Sequence, residues 1–306
     1  MTPLAYLALV LALGILAQWL SWRLKLPSIL ILLAFGFGLS LTTGARIDDY
    51  LGGQTDTLLA VVGIFVAIIL FEGGLTLKFS ELREAGSPVI RLCSLGVVVA
   101  FALTTIAARC IFDWQWPVAA LLGAILVVTG PTVVGPLLRV IKPTRKITSI
   151  VKWEGIVVDP IGAILAVLVF QVAVSGGFQD ASKTVFLALG RTLLVGILLA
   201  IVLARIIEQL LKRHLIPDFL ESVFLLAVVA VAFAASNAIQ EESGLLTVTV
   251  LGIALANQKS VSVRDILEFK ENLRVLIISL LFILLSGRIA PEDLREVVVP
   301  SLILLA

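Results

Sequence analysis

Val127–Ala166 reads VVTGPTVVGPLLRVIKPTRKITSIVKWEGIVVDPIGAILA, and two apolar segments meet in it. The first is interrupted at Thr129-Gly130-Pro131 and marked again by Gly135-Pro136. The second carries Glu154 and Asp159 inside an otherwise apolar run. Proline ends a helical hydrogen-bond ladder, and glycine permits dihedrals closed to other residues. A helix broken this way leaves free backbone groups, tolerated at membrane depth only where protein or a water-filled cavity satisfies them. A carboxylate near the middle of a bilayer costs about 2.5–3.5 kcal/mol on insertion scales, so its presence marks a functional site.

The rest of the chain puts this stretch in a membrane. Of 306 residues, 60% are hydrophobic and 14% charged, and the mean hydropathy of +1.13 is far above that of a soluble domain. Apolar runs predict spans at Pro3–Leu20, Ser28–Leu41, Leu58–Leu77, Val89–Phe112 and Pro117–Val140. Further spans are predicted at Ser149–Val174, Val185–Ile207, Phe219–Ile239, Leu245–Ala256 and Leu273–Ile289, with a last apolar run at Val297–Ala306. No Lys or Arg precedes the first run, so it reads as a retained span rather than a cleaved signal. The last run is too short to cross a bilayer as a helix. The expectation is an all-α integral membrane protein, one domain over residues 1–306 that is incomplete at its C-terminus, with about 10–11 helices, the fifth discontinuous.

Charge orients the chain. Loops after odd-numbered spans carry 17 of the 23 Lys and Arg residues. The positive-inside rule therefore predicts an outside N-terminus in a multi-pass protein of the inner cell membrane. Val261–Asn272 (VSVRDILEFKEN) reads as a cytoplasmic amphipathic helix. The single histidine, His214, excludes His-based triads and His-rich zinc sites. Cys93 and Cys110 share one apolar segment without metal-ligand spacing, and no Walker or dinucleotide glycine pattern occurs. An intramembrane enzyme would need a second catalytic group beside Asp159, and the spans show none.

Asp159 is followed by Pro160, which kinks a helix and frees a carbonyl close to the carboxylate. One carboxylate there binds a proton or a small cation, and competition between the two suffices for coupled exchange. The residues thus imply a secondary transporter. Glu154 lies five residues earlier, about 140° around the helix, and reads as a structural ion-pair member facing a neighbouring helix. Glu72, closing the third span, is expected to pair with Lys78. Gly36, Gly38 and Gly73-Gly74 read as close-packing positions, and Ser243-Gly244 and Asn257 as structural residues bounding the ninth span.

Four pieces in order carry a resemblance: LFEGGLTL (Leu70–Leu77), TGPTVVGPLLR (Thr129–Arg139), WEGIVVDPIGAILAVLVFQ (Trp153–Gln171) and LLFILLSGRI (Leu280–Ile289). With them the chain resembles the bacterial monovalent cation/proton antiporters of the sodium/proton exchanger type. The resemblance implies an inverted-repeat fold of about thirteen spans, in which an unwound fifth helix crosses a later unwound one. It implies Asp159 as the site of the transported cation and the proton. It implies Thr129 as a hydroxyl or carbonyl ligand, and Glu154 as the partner of an arginine on a late helix beyond Ala306. Gly130, Pro131, Thr132, Val158 and Pro160 would be the supporting structure. The implied function is exchange of Na⁺, or K⁺ or Li⁺, for H⁺ by alternating access, electroneutral because one carboxylate swaps one charge for one charge. The alternative is a K⁺/H⁺ efflux antiporter gated by a cytoplasmic nucleotide-binding domain beyond residue 306, which the subgroup often carries. No cofactor is expected; the expected partners are membrane lipid and a second copy of the chain, with no nucleic acid. The sequence departs from the family pattern at Val158, commonly asparagine, and at Gly130, often acidic.

Overall fold

Apolar segments in lipid must satisfy their own backbone groups, and every regular element among the described residues is helical. The computed structural model describes residues 2–44, 47–50, 55–130, 134, 137–138, 141–175, 178–258 and 264–305. In order the helices are α1 (Pro3–Leu24), α2 (Ser28–Thr43), α3 (Ile47–Tyr50), α4 (Thr55–Leu75), α5 (Phe79–Arg91), α6 (Val97–Phe112) and α7 (Trp116–Leu126). Then follow α8 (Arg145–Ser175), α9 (Phe178–Lys212), α10 (Asp218–Ile239), α11 (Ser243–Asn257), α12 (Arg264–Ser286) and α13 (Pro291–Leu305). Among the described residues, five of them, and the continuous helical run Gly86–Phe112 through α5 and α6, are long and apolar enough to cross a membrane, and four shorter apolar helical stretches fall on the second, fifth, ninth and tenth predicted spans. The protein is a multi-pass, all-α membrane protein.

Local chemistry sets several boundaries. The Ala5 N–H donates to Thr2 Oγ1 at 3.3 Å to open α1. That helix closes where Lys25 turns left-handed at φ 55°. The fourth predicted span is more complex than its apolar run suggested. A π-helical turn, Leu92–Gly96, joins α5 to α6 shortly after Pro88, whose missing N–H disturbs the regular ladder. Arg264–Asn272 of the expected amphipathic segment and the tenth span are not separate: α12 runs unbroken from Arg264 to Ser286, and Val261–Val263 lie outside the described residues. Nothing between them, no proline or glycine, ends the helix.

Two groups of helices form. One core joins α4 with α9, α10 and α11 through residues such as Phe71, Ile207, Val229 and Leu251. A second joins α1, α2, α4 and α12 through Tyr6, Leu32, Ile69 and Ile283. A smaller cluster, Leu77, Val89, Trp153 and Ile156, ties α8 to α5 and to the turn after α4. Helix α4 is thus shared between cores. It crosses α11 at backbone contact: a Cβ on Gly74 would lie 2.5 Å from Thr249 O, and one on Gly252 would lie 2.3 Å from Phe71 O. Gly36 is similarly pressed on α12, 2.4 Å from Ile283 O at its Cβ position, whereas Gly38 has open space and is no packing position.

The expected Glu72–Lys78 pair does not form. Glu72 is 5% exposed and meets Arg274 of α12 at 3.7 Å. Lys78 lies beyond the end of α4, as the N-cap of α5, whereas Glu72 is still within α4 and faces into the bundle. Asn257, at the end of α11, clamps the turn between α4 and α5. Its Nδ2 donates to Leu77 O and Ile253 O at 2.8 Å each, and its Oδ1 accepts the Phe79 N–H at 2.7 Å. Asn257→Ala removes all three bonds and leaves backbone groups unpaired, at about 1–3 kcal/mol. The expected result is a lower thermal unfolding midpoint in detergent; an unchanged midpoint would mean that water replaces the amide.

Outside the spans, Glu242 caps α11 in the left-handed region at φ 62°. Burial first, and the charge of Glu241 second, push its carboxyl above the usual range.

Candidate functional site

Helix α8 is 31 residues long and continues through Pro160. Proline has no N–H to offer the carbonyl of Ile156 four residues earlier, so one acceptor lies free a turn from Asp159. Asp159 lines a cavity of about 440 Å³. One wall is Val62, Val66, Ile69 and Leu70 of α4, and another is Leu281, Phe282 and Leu285 of α12. Leu245 of α11 and Ile125 of α7 complete the apolar lining, with Val128 and Gly130 from the segment after α7. Among the described residues, Asp159 is the one charged side chain in that lining. Its Oδ1 is buried and has no hydrogen-bond partner among the described residues.

The fifth predicted span breaks as its sequence suggested. Helix α7 ends at Leu126, and Val128, Thr129 and Gly130 are not helical. The break lies against one face of α8. A Cβ on Gly155 would stand 3.6 Å from Thr129 O, and one on Gly162 would stand 2.2 Å from Val128 Cγ2. Gly155, Asp159 and Gly162 are spaced i, i+4, i+7 and therefore share that face. The two glycines let the broken segment approach at the level of the carboxylate. Sequence reasoning passed over both, although their spacing from Asp159 was visible.

Thr129 is not among the residues that line the carboxylate's cavity. Its hydroxyl donates to Glu154 Oε1 at 2.8 Å, while Val128 and Gly130 on either side line the cavity. Glu154 thus ties the break to α8 rather than facing the Asp159 pocket, as expected from the 140° between them. Val158 is 1% exposed; an apolar side chain can be buried there without a polar partner. Pro160 is also buried. Pro131 and Thr132, assigned supporting roles from the sequence, lie outside the described residues, as do Gly135, Pro136 and Arg139.

Lys152 lies two turns before Asp159 on α8. Its Nζ donates to Thr76 O at 2.6 Å and to Glu81 Oε2 at 3.3 Å.

The sequence pattern of the family described as "Sodium/hydrogen exchanger, transmembrane" matches residues 7–306. The K(+)/H(+) antiporter NhaP2 of Shewanella baltica (strain OS223) is 26% identical over 296 residues, covering 96% of this chain and 50% of that protein. The Na(+)/H(+) antiporter NhaS2 of Synechocystis sp. is 24% identical over 297 residues, covering 95% of this chain and 52% of that protein. This chain therefore spans about half the length of these relatives. Among solved structures, the sodium proton antiporter MjNhaP1 from Methanocaldococcus jannaschii at pH 8 superposes with a TM-score of 0.80 at 21% identity, over 98% of this chain and 74% of that one. That likeness establishes the fold.

Proposed function

This chain belongs to the sodium/hydrogen exchanger family, and from that premise we propose that it is the membrane domain of a cation/proton antiporter exchanging at Asp159. The observation that carries the reading is the Asp159 carboxylate itself. One of its oxygens is buried without a partner among the described residues, and it is the charged group of an apolar cavity beside a broken helix. A structural carboxylate would be expected to have an ion-pair or hydrogen-bond partner, as Glu154 and Glu72 do. Asp159 instead stands ready to take a proton or a cation as its partner.

The mechanism follows from one site and two competing occupants. A proton neutralises Asp159, and so does a monovalent cation. The neutral site can cross between the two sides in either form, but the empty, charged site crosses poorly because an unpaired carboxylate is costly in a low-dielectric passage. Exchange is therefore obligatory. The carbonyls of the Val128–Gly130 break and the free carbonyl near Pro160 would complete the cation's coordination. The Thr129 hydroxyl acts on this reading through Glu154, as a brace of the break. The N-terminus is outside, in the inner membrane, and the working unit is a homodimer.

One cation against one proton moves no net charge. The membrane potential, worth about 2.3 kcal/mol per charge per 100 mV, then contributes nothing to the driving force. The ion gradients contribute about 1.4 kcal/mol per tenfold ratio. The test uses the full-length protein in proteoliposomes with an internal pH dye, challenged with Na⁺, K⁺ or Li⁺. The expected outcome is proton movement with at least one cation and a steady-state pH gradient that does not depend on clamped voltage. A steady state that moves with voltage would overturn the electroneutral stoichiometry. No response to any of the three cations would overturn the antiport reading. Relatives named for K⁺ and for Na⁺ exchange both match the chain, so the identity of the effective cation is read from the same experiment.

A further inference from the structure

On the four helices α4, α8, α11 and α12, the described lining of the Asp159 cavity lies to one side of the carboxylate. On α4 it is lined at Val62–Leu70, and the residues that follow, Glu72 and Thr76, do not line it. On α8 it is lined from Asp159 to Ala166, after Lys152. On α11 it touches Leu245 near the start, far from Asn257 at the end, and on α12 it touches Leu281–Leu285, after Arg274. Four helices of alternating direction agree. On these four helices the cavity lies toward one end of the bundle, and among the described residues polar contacts join the helices at the opposite end.

Those contacts are Glu72–Arg274, the Asn257 clamp and the Lys152 bonds to Thr76 O and Glu81. They differ in which helix groups they join. Glu72–Arg274 and Asn257 join helices of the α4, α11 and α12 side or the turn that leaves it. Lys152 alone among these residues stands on α8, the helix that carries Asp159. It lies seven residues before Asp159, about 10 Å along the axis and on the same face. Between the two, Ile156 is 2% exposed and packs on Leu77. A Cβ on Gly73 would lie 3.4 Å from its Cγ1. This contact lies between Asp159 and Lys152 on their shared face of α8.

We propose that Lys152 is a positioning residue that latches α8 to the turn after α4 through Thr76 O and Glu81, shutting the Lys/Arg-rich end of the Asp159 cavity. The proposal rests on the antiport reading above and on the orientation that places this end in the cytoplasm. The lysine acts on the balance between two states, not on the ion. It stabilises the state open to the outside, and its bonds must break before the site empties to the cytoplasm. Binding affinity seen from one side scales with the fraction of protein open to that side. Losing the latch therefore raises the apparent KM for external cation and lowers it for internal cation. A lysine with a merely structural role would lower yield or turnover and leave the ratio of the two unchanged.

The test compares full-length wild type, Lys152→Met and Lys152→Arg in right-side-out and everted membrane vesicles. The expected result for Lys152→Met is a shift of about tenfold in the external-to-internal KM ratio, the order expected for a lost charge-assisted hydrogen bond. Lys152→Arg restores the wild-type ratio in part. An unchanged ratio, or one that moves the other way, overturns the proposal. Accessibility gives a second readout that needs no transport. In a Cys93→Ser/Cys110→Ser background, Ile156→Cys is protected from a charged thiol reagent added at the cytoplasmic face, and adding Lys152→Met exposes it. Equal labelling with and without Lys152→Met overturns the latch even if exchange itself fails, whereas new labelling without exchange upholds the latch and sinks the antiport reading. Glu81→Gln, which weakens the same contact from the other side, replaces Lys152→Met if that variant does not insert, and is expected to move both readouts in the same direction.

Discussion

Asp159→Asn reduces cation-driven proton movement to the leak of protein-free liposomes while leaving the protein folded. Asparagine keeps the shape of aspartate but neither releases a proton at any working pH nor carries the charge that a cation neutralises. Both occupants of the site are lost together, so the variant is inactive with Na⁺, K⁺ and Li⁺ alike. The fold does not depend on the charge. Oδ1 makes no hydrogen bond among the described residues, and replacing a carboxylate in an apolar cavity by an amide removes a desolvation cost. The thermal midpoint in detergent is therefore expected to equal or exceed that of wild type. Dye-based exchange and a thermal melt on the same preparation check both halves. Exchange that survives the substitution would place the ion elsewhere; loss of exchange with a collapsed melt would mean the carboxylate is structural.

Gly252→Ala has the largest expected effect on stability. A Cβ there meets Phe71 O at 2.3 Å, Gly74 Cα at 3.1 Å and Leu75 N at 3.1 Å. All three are backbone atoms of α4, which cannot swing aside as a side chain can, so the two helices must part. Overpacking of a close contact costs about 1–3 kcal/mol and occasionally more; a clash with backbone in a helix shared by two cores belongs at the upper end. The separation would also displace Val62–Leu70, the α4 wall of the Asp159 cavity. Lower yield, a lower unfolding midpoint and weaker exchange are expected together. Gly74→Ala meets Thr249 O at 2.5 Å and should behave alike. The double variant should cost less than the two single effects added, because one parting of the helices relieves both clashes. Strict additivity in the melts would show that the two contacts relax independently.

Much of the helix inventory was legible from hydropathy alone. Long runs without charge have a single stable form in lipid, so α1, α8 and α10 fall close to the predicted spans Pro3–Leu20, Ser149–Val174 and Phe219–Ile239. The break after α7 was legible too, because Gly130-Pro131 carries local backbone chemistry that no packing reverses. The expected Glu72–Lys78 pair failed for the opposite reason. Sequence proximity favoured Lys78, but Glu72 is within α4 and faces α12, where Arg274 stands some two hundred residues away in sequence. The join of Arg264–Asn272 to the tenth span was missed because a change from amphipathic to wholly apolar pattern marks a change of surroundings, not an end of helix.

By itself the sequence determined that the chain crosses a membrane many times, where the fifth span breaks, and that a carboxylate, Asp159, lies well inside the sixth apolar run. These are local properties: hydropathy, missing amide protons and the cost of a buried charge act on a few consecutive residues. Only the tertiary structure decided that the Thr129 hydroxyl bonds Glu154, that Gly155 and Gly162 admit the broken segment beside Asp159, and that Lys152 holds α8 to the turn after α4. Each of those depends on which helix faces become neighbours, and that is set by the packing of the whole bundle, where backbone contact at two glycines can outweigh any preference written along a single helix.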